Sequence, residues 1–173
     1  MKNSIIIFVL LVSLVSCQKT ATRYTQQSPE IDSFKKSIEA YEKADWANMK
    51  SFYADTAKIE HNVTKDKAVS VDKLIEVSKE DTELFSGIDF IDSESEYEMV
   101  VTDDGETWVN FWGHWKGTLK ATGEEYTLPC AITAQFVNGK IVREVGFWNN
   151  SKIALDMQKL SASATVVDST STK

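Results

Sequence analysis

The stretch ETWVNFWGHWKGTLKATGEEYTLPCAITAQFVNGKIVREVGFWN, from Glu106 to Asn149, decides the fold. It reads as three consecutive antiparallel strands, with turns at Thr122-Gly123 and Asn138-Gly139. Asn-Gly is the strongest short hairpin signal, because both residues tolerate the positive φ that a tight turn requires. Asp104-Gly105 marks another turn and joins an upstream strand that ends at Val101. The sequence therefore predicts a meander of about four strands, with the helical segments outside it.

Each predicted strand has two faces, because side chains alternate along a strand. One face is expected to form the core, and it carries Val109, Phe111, Gly113, Trp115, Gly117, Leu119, Leu128, Cys130, Ile132, Ala134, Phe136, Ile141, Arg143, Val145, Phe147 and Asn149. The other face is polar but includes Trp108, Trp112 and Trp148, so we expect a partner subunit or a wrapped helix to cover it. Gly113 and Gly117 predict bulges or bends that curl the sheet.

The N-terminus has the pattern of an export signal. A lysine precedes a short apolar run from Ile5 to Val15, which is too short to span a bilayer comfortably. Leu14-Val15-Ser16-Cys17 resembles a bacterial lipobox, and this resemblance implies that residues 1–16 are removed and that Cys17 is lipidated. The alternative is an ordinary signal peptide with a chance cysteine. Several acyl chains on one residue would anchor the protein stably in the cell envelope, which we expect to be the outer membrane facing the periplasm.

Composition excludes several classes of function. The net charge is −7 without any basic run, so nucleic acid is not expected as a partner. The two cysteines are Cys17 and Cys130, so lipidation of the first leaves no intrachain disulfide. Cys130 falls on the apolar face of its strand and is expected to be a small core residue. No metal-ligand spacing occurs, and we expect neither a metal nor a cofactor.

The rest of the chain divides into a tether, a domain and a tail. Residues 17–28 are polar and predict a tether, residues 29–160 the domain, and residues 161–173 a disordered tail. Within the domain, Ser28, Asp45 and Ser70 are expected to cap three helices, and the third helix is expected to stop at Gly87. A short strand is predicted from Asp55 to His61, and a long strand from Ile88 to Val101.

Two segments resemble a known family. Tyr41-Glu42-Lys43-Ala44-Asp45-Trp46 through Phe52-Tyr53-Ala54-Asp55 looks like the start of nuclear transport factor 2-like domains of the SnoaL-like group. Gly117, Thr122-Gly123, Asn138 to Val142 and Phe147-Trp148-Asn149 resemble the closing strands of that family. The resemblance covers roughly residues 30–155. It implies an α+β fold, in which a cone-shaped, curved antiparallel sheet of the cystatin-like roll type wraps around N-terminal helices and encloses a pocket.

The same resemblance bears on activity and assembly. Members of the family include isomerases, dehydratases and cyclases as well as proteins without known catalysis, and many dimerise through the sheet. It therefore implies a homodimer here. Family members often end the last strand with an aromatic-x-Asp pattern, whereas this chain has Asn149 and Asn150 after Phe147 and Trp148. An amide orients a ligand but does not shuttle protons at neutral pH, which weakens an acid/base interpretation.

Two histidines, His61 and His114, are the candidates for acid/base chemistry, with Asp55 or Glu60 as the residue that orients them. The alternative is that His61 is exposed and that His114 points towards a subunit interface. Both histidines are ordinary surface residues in that case.

Ligand contacts are expected from Tyr53, His61, Arg143, Phe147 and Asn149. Arg143 shares a face with Ile141 and is expected either to reach an anionic group in the cavity or to form a salt bridge near its mouth. Tyr53 is either a ligand contact or a core residue of the helix pair.

Three functions remain open at this point. The first is a lipid-anchored domain that binds a small, largely apolar molecule without strong catalysis. The second is an enzyme of the isomerase, dehydratase or cyclase type that uses a His–carboxylate pair. The third is an interaction module of the envelope whose aromatic face docks another protein.

Overall fold

The computed structural model describes residues 23–170 of the chain, with side chains up to residue 163. The predicted signal peptide and Cys17 lie outside the described residues. Along the chain the elements are β1 Tyr24–Thr25, α1 Pro29–Glu42, α2 Trp46–Ser51, β2 Tyr53–His61, α3 Val71–Leu84, β3 Phe85–Phe90, β4 Glu96–Val101, β5 Thr107–Leu119, β6 Glu125–Val137, β7 Lys140–Trp148 and α4 Ser151–Thr170.

The helix starts follow local capping chemistry. The Ser28 hydroxyl accepts a hydrogen bond from the Ile31 amide at 3.2 Å, and the side chains of Asp45 and Ser70 cap α2 and α3 in the same way. These caps satisfy amides at the first turn, which have no partner within the helix. The three predicted helix starts are confirmed.

The seven strands form one sheet in the order β1-β4-β5-β6-β7-β2, and β3 also pairs with β5. The central ladders β4–β5–β6–β7 are antiparallel, as predicted. The pairing at the edge of the sheet is different, because the edge strand β2 runs parallel to β7. The predicted α+β fold with a curved sheet beside the helices is confirmed, and the sheet is mixed where antiparallel pairing was expected, because of this one edge.

Several predicted boundaries move. The expected long strand from Ile88 to Val101 is two strands, β3 and β4, separated by a single 3-10 turn at Asp92–Glu94. The helix expected to continue to Gly87 ends at Leu84. Residues Tyr24 and Thr25, placed in the tether by the sequence, pair with β4. The last helix continues through residues 161–170, where a disordered tail was expected.

Glycines in β5 make room for core side chains. The β5–β6 register is continuous from Thr107 to Thr118, whereas the β3–β5 register shifts between Ser86 and Asp89, opposite Gly117. A Cβ at Gly113 would lie 2.5 Å from the Phe111 ring, and one at Gly117 would lie 2.7 Å from the Trp115 indole. The missing side chains leave room for these rings to lie along the strand.

A bulge in β7 changes which residues face the core. Gln135 pairs with Arg143 and Phe136 pairs with Ile141, so Val142 is an extra residue in β7. Beyond this bulge the alternation reverses, because one inserted residue turns every later side chain to the opposite face. The core face of β7 therefore carries Ile141, Glu144, Gly146 and Trp148, whereas the sequence assigned Arg143, Val145, Phe147 and Asn149 to it.

We call the two sides of the sheet the inner face and the outer face. The inner face packs on the helices, and its most buried side chains include Val109, Phe111, Ala134 and Ile141, each 0% exposed. On the outer face, Trp112 is 44% and Phe147 58% exposed. A smaller cluster joins Phe85, Leu119 and Tyr126 to α4 through Ile153, Met157 and Leu160.

Among the described residues, none of the helices combines the length and the apolar character needed to cross a bilayer.

Candidate functional site

A cavity of about 510 Å³ lies between the inner face of the sheet and helices α1 and α3. Its wall is mainly apolar and aromatic, with Phe34, Ile38, Leu74, Phe90, Trp115 and Ile132 among the lining residues. This volume lies within the range of small-molecule pockets, and an apolar wall with a few polar groups is their usual composition. The expectation of a hollow beneath the sheet is thus met, and two hydrogen-bonded clusters of polar side chains lie in its wall.

The first cluster is centred on Glu144, whose side chain is almost completely buried at 3% exposure. Its Oε2 accepts a hydrogen bond from the Tyr53 hydroxyl at 2.7 Å. Its Oε1 lies 2.7 Å from His61 Nε2. Burial and the neighbouring carboxylate raise the pKa of Tyr53 well above its usual value, so this hydroxyl remains a donor at neutral pH.

The parallel pairing of β2 with β7 creates this cluster. Tyr53 and His61 are the two ends of β2, and His61 is in register with Gly146, two residues beyond Glu144. The β7 bulge turns Glu144 inward to meet both. A carboxylate bonded to Nε2 indicates the tautomer with its hydrogen on Nε2. With the hydrogen on Nε2, the lone pair of His61 lies on Nδ1, and this nitrogen is the atom able to accept a proton.

Three neighbours hold the His61 ring. The Trp148 ring lies edge-on to it, with centroids 5.0 Å apart. A Cβ at Gly146 would come within 2.9 Å of His61 Cδ2 and 2.7 Å of the Trp148 ring, so glycine is required for this packing. Asn62, with φ 52°, follows His61 and ties it to β7. Its backbone N–H donates to Gly146 O at 2.9 Å, and its side-chain Oδ1 accepts from the Trp148 backbone N–H at 3.1 Å.

The second cluster is centred on Asp81, which α3 brings to the cavity wall. The Tyr41 hydroxyl donates to Asp81 Oδ2 at 3.2 Å and accepts from Trp115 Nε1 at 3.1 Å. Burial raises the pKa of Asp81 from 3.8 to about 6, and the charge of His61 acts weakly in the opposite direction. A carboxyl group with such a pKa exchanges protons near neutral pH.

Several residues predicted for the site lie elsewhere. Asp55 is exposed on β2. His114 is on the outer face, where its Nδ1 lies 2.8 Å from Glu94 Oε2 without hydrogen-bond geometry. The proposed pairing of His61 with His114 is wrong, because the sheet separates the two rings. Neither Asp55 nor Glu60 orients His61; Glu144 does.

Arg143 points to the outer face because of the β7 bulge. It binds Glu60 with two hydrogen bonds, Nε to Oε1 at 2.7 Å and Nη2 to Oε2 at 2.9 Å. Its guanidinium also lies 5.7 Å from the Trp108 ring centroid. A salt bridge is therefore confirmed, although it lies on the outer face and not at the cavity mouth, and the placement of Arg143 in the cavity is wrong.

Phe147 and Asn149 also lie away from the cavity. Phe147 is exposed on the outer face. Asn149 Oδ1 accepts a hydrogen bond from the Ser151 amide at 3.0 Å, at the start of α4. Of the five predicted ligand contacts, the structure therefore brings Tyr53 and His61 to the cavity wall.

Cys130 lines the cavity but is a poor nucleophile. Its Sγ lies 3.4 Å from Gly113 O, and burial raises the pKa of the thiol to about 11. The thiol is protonated at neutral pH, whereas nucleophilic attack requires the thiolate. The assignment of Cys130 as a core residue is confirmed by its 8% exposure.

Four residues of the two clusters were not predicted from the sequence: Glu144, Asp81, Tyr41 and Trp115. Asp81 carried a usable signal, because it follows Leu74 by seven positions and Ser78 by three and so shares their buried helix face. For Glu144 the sequence gives no such signal, because its inward position depends on the β7 bulge. Within residues 23–170, no group of three or more His, Cys, Asp or Glu side chains could hold a metal ion.

Solved structures with the same fold share little sequence with this chain. A candidate polyketide cyclase from Xanthomonas campestris is 15% identical, with a TM-score of 0.59 over 74% of this chain and 96% of that one. AclR, a candidate hydroxylase from Streptomyces galilaeus, is 13% identical, with a TM-score of 0.60 over 75% and 96%. An NTF2-like protein from Burkholderia thailandensis is 20% identical, with a TM-score of 0.56 over 76% and 98%. At these identities the likeness establishes the fold alone.

Among curated proteins, none matches the chain. The SnoaL-like domain family matches residues 34–144, from the middle of α1 to the inward-facing Glu144 of β7. This match covers most of the domain and includes both polar clusters of the cavity. The chain therefore belongs to the SnoaL-like family, with the NTF2-like fold.

Proposed function

We propose that this protein binds a small, largely apolar molecule in the cavity between the sheet and helices α1 and α3. The observation that carries the proposal is the cavity itself, about 510 Å³ with a mainly apolar wall. Its polar side chains include the clusters around Glu144 and Asp81, which suit a ligand with an apolar body and one or two polar atoms.

Native mass spectrometry of the purified full chain tests this proposal by detecting a co-purified small molecule. Ile132→Trp fills the cavity and is expected to abolish the bound mass. Val145→Trp adds the same side chain on the outer face and is expected to retain it. Equal loading of the two variants would contradict binding in the cavity.

The second candidate function is acid/base catalysis of the isomerase, dehydratase or cyclase type. The hydrogen bond between His61 and Glu144 favours it, because a buried carboxylate stabilises the imidazolium formed when Nδ1 accepts a proton. Asp81, with its pKa raised to about 6, is suited to return a proton to the substrate. Two groups at one cavity would then act as base and acid.

Turnover on a panel of ketosteroids and polyketide intermediates tests this second function. His61→Ala and Glu144→Gln are expected to lower the rate at least 100-fold, which is the usual contribution of a general base. His114→Ala is the matched control on the outer face, and its rate is expected to be unchanged. Activity that survives both cavity substitutions would contradict catalysis by the His–carboxylate pair, whereas absence of turnover by the wild type would favour the binding function.

Lipid anchoring remains a proposal that rests on the sequence of residues 1–17. We propose that Cys17 carries acyl chains and that they hold the domain at the outer membrane, facing the periplasm. Metabolic labelling with a palmitate analogue is expected to mark the protein and to fail for Cys17→Ser. Labelling that survives the substitution would contradict lipidation at this residue.

Self-association through the outer face is also proposed. Trp112 and Phe147 present large exposed apolar surfaces there, which a second copy or another envelope protein would cover. Light scattering is expected to show a dimer that Trp112→Glu converts to a monomer. A dimer unaffected by the introduced charge would contradict this interface, and a monomeric wild type would favour a different partner protein.

A further inference from the structure

The cavity wall carries two acidic and two basic side chains, but one of the basic side chains is paired at the surface. Its side chains able to bear charge at neutral pH are His61, Lys73, Asp81 and Glu144. Lys73 does not neutralise the interior, because its Nζ is 2.7 Å from Glu76 Oε1 and both side chains are about half exposed at the surface. Even with His61 protonated, the two carboxylates leave one uncompensated negative charge.

The hydrogen bonds to these carboxylates come mostly from neutral donors. Tyr53 donates to Glu144, and Tyr41 donates to Asp81. Neutral hydroxyl groups orient and solvate a carboxylate but do not cancel its charge. Among the described residues, no group of His, Cys, Asp or Glu side chains could hold a metal ion that would cancel this charge. A ligand cation is the remaining group that would complete the site.

The aromatic wall suits the same kind of ligand. Tyr41, Phe90, Trp115 and Trp148 line the cavity beside the two clusters. Aromatic faces attract ammonium groups, and the attraction is stronger in a site that excludes water. The remaining wall is aliphatic and accommodates the hydrocarbon part of a ligand.

We propose that the ligand of this cavity is an amine: a protonated nitrogen held near Asp81 and Glu144, attached to an apolar body that fills the rest of the space. This inference rests on the proposed function of the cavity as a binding site. It adds to that function a preference for cationic over neutral and anionic ligands of the same shape.

Three probes on one carbon skeleton test the preference: 4-phenylbutylamine, 4-phenylbutanol and 4-phenylbutyrate. Dissociation constants are measured by isothermal titration calorimetry with the full chain at pH 7.5. The amine is expected to bind at least ten-fold more tightly than the alcohol, and the carboxylate more weakly than both. Asp81→Asn and Glu144→Gln each remove one negative charge, and each is expected to reduce the ratio of amine affinity to alcohol affinity several-fold.

Asp72→Asn is the matched control, because Asp72 lies on the same helix but is exposed and paired with Lys50. It is expected to leave the ratio unchanged. Equal affinities for amine and alcohol, or tightest binding of the carboxylate, would overturn the inference and leave the proposed binding function standing. If none of the three probes binds, and decylamine, decanol and decanoate do not bind either, both the preference for amines and the proposed binding function would be overturned.

Discussion

Glu144 and His61 are 83 residues apart in sequence, and a hydrogen bond of 2.7 Å joins their side chains at the cavity wall. The pair depends on two features of the sheet. A bulge at Val142 turns Glu144 inward, and the parallel pairing of β2 with β7 brings His61 beside it.

The first prediction concerns Gly146. Gly146→Ala is expected to displace the His61 ring, because the new Cβ would come within 2.9 Å of Cδ2 and 2.7 Å of the Trp148 ring. Overpacking of this kind costs about 1–3 kcal/mol of stability. Nitrogen chemical shifts of the imidazole, measured by NMR, are expected to show loss of the hydrogen bond to Glu144. Val145→Ala on the outer face is the control, and unchanged shifts in both variants would contradict the positioning role.

The second prediction concerns Asp81 and pH. Burial raises its pKa from 3.8 to about 6, so the folded protein holds this proton more tightly than the unfolded chain does. The free energy of unfolding therefore falls as pH rises from about 4 to about 6 and remains lower above that. Asp81→Asn has no carboxyl to ionise, so it avoids this decrease in the free energy of unfolding. It is expected to stabilise the protein by about 1–2 kcal/mol at pH 8 but little at pH 4.

The groups that face Asp81 are Tyr41, Glu80 and His61. The charge of Glu80 raises the pKa of Asp81, whereas the hydrogen bond from Tyr41 and the charge of His61 lower it, and burial outweighs both. Urea unfolding at the two pH values measures the effect. Asp72→Asn, at the exposed surface of the same helix, is expected to show no such pH-dependent gain. Equal stability of wild type and Asp81→Asn at pH 8 would contradict the raised pKa.

The third prediction concerns Glu60 and Arg143 on the outer face. Glu60 is 4% exposed, and Arg143 lowers its pKa through two hydrogen bonds. Arg143→Leu leaves this carboxylate buried without its partner and is expected to cost roughly 2–4 kcal/mol at pH 7, since breaking a buried pair is costly. The stabilisation is present above the ordinary Glu pKa and is lost as pH falls through the depressed value.

A double-mutant cycle with Glu60→Gln separates the pair energy from the loss of each side chain. Because the pair lies outside the cavity, ligand affinity of the folded variants is expected to be unchanged. Weaker ligand binding by folded Arg143→Leu would contradict the placement of Arg143 outside the binding site.

The fourth prediction concerns Ala44 between α1 and α2. Ala44 has φ 54°, a left-handed conformation that places an L side chain too close to the backbone. Ala44→Gly is expected to stabilise the protein by about 1 kcal/mol, because glycine adopts this conformation without strain. Thermal unfolding measures the gain, and a lower midpoint than wild type would contradict it. Lys43→Gly, at the preceding position with φ −85°, is the control and is expected to destabilise.

Features set by neighbouring residues were predictable from the sequence. Ser28, Asp45 and Ser70 cap helices through bonds spanning three positions, and Asn138 and Gly139 form a hairpin turn with φ of 51° and 74°. The polar core of the site was not predictable in this way. It depends on an extra residue at Val142 and on a strand pairing between distant segments, and neither leaves a local pattern.

The same distinction explains the wrong placement of Arg143 and Phe147. Strict alternation from Ile141 assigned both to the inner face, and a single bulged residue reverses every position after it. The position of Asp81 was easier to predict from the sequence, because helix periodicity alone places it on the buried face of α3.

The central claim is that the hollow beneath the sheet binds ligand, and methyl NMR during titration with 4-phenylbutylamine tests it most directly. The account predicts shift changes concentrated at Leu74, Leu128 and Ile132 on the cavity wall, with Val137 and Val145 of the outer face unchanged. Changes confined to the outer-face valines, with the cavity methyl groups unmoved, would contradict it.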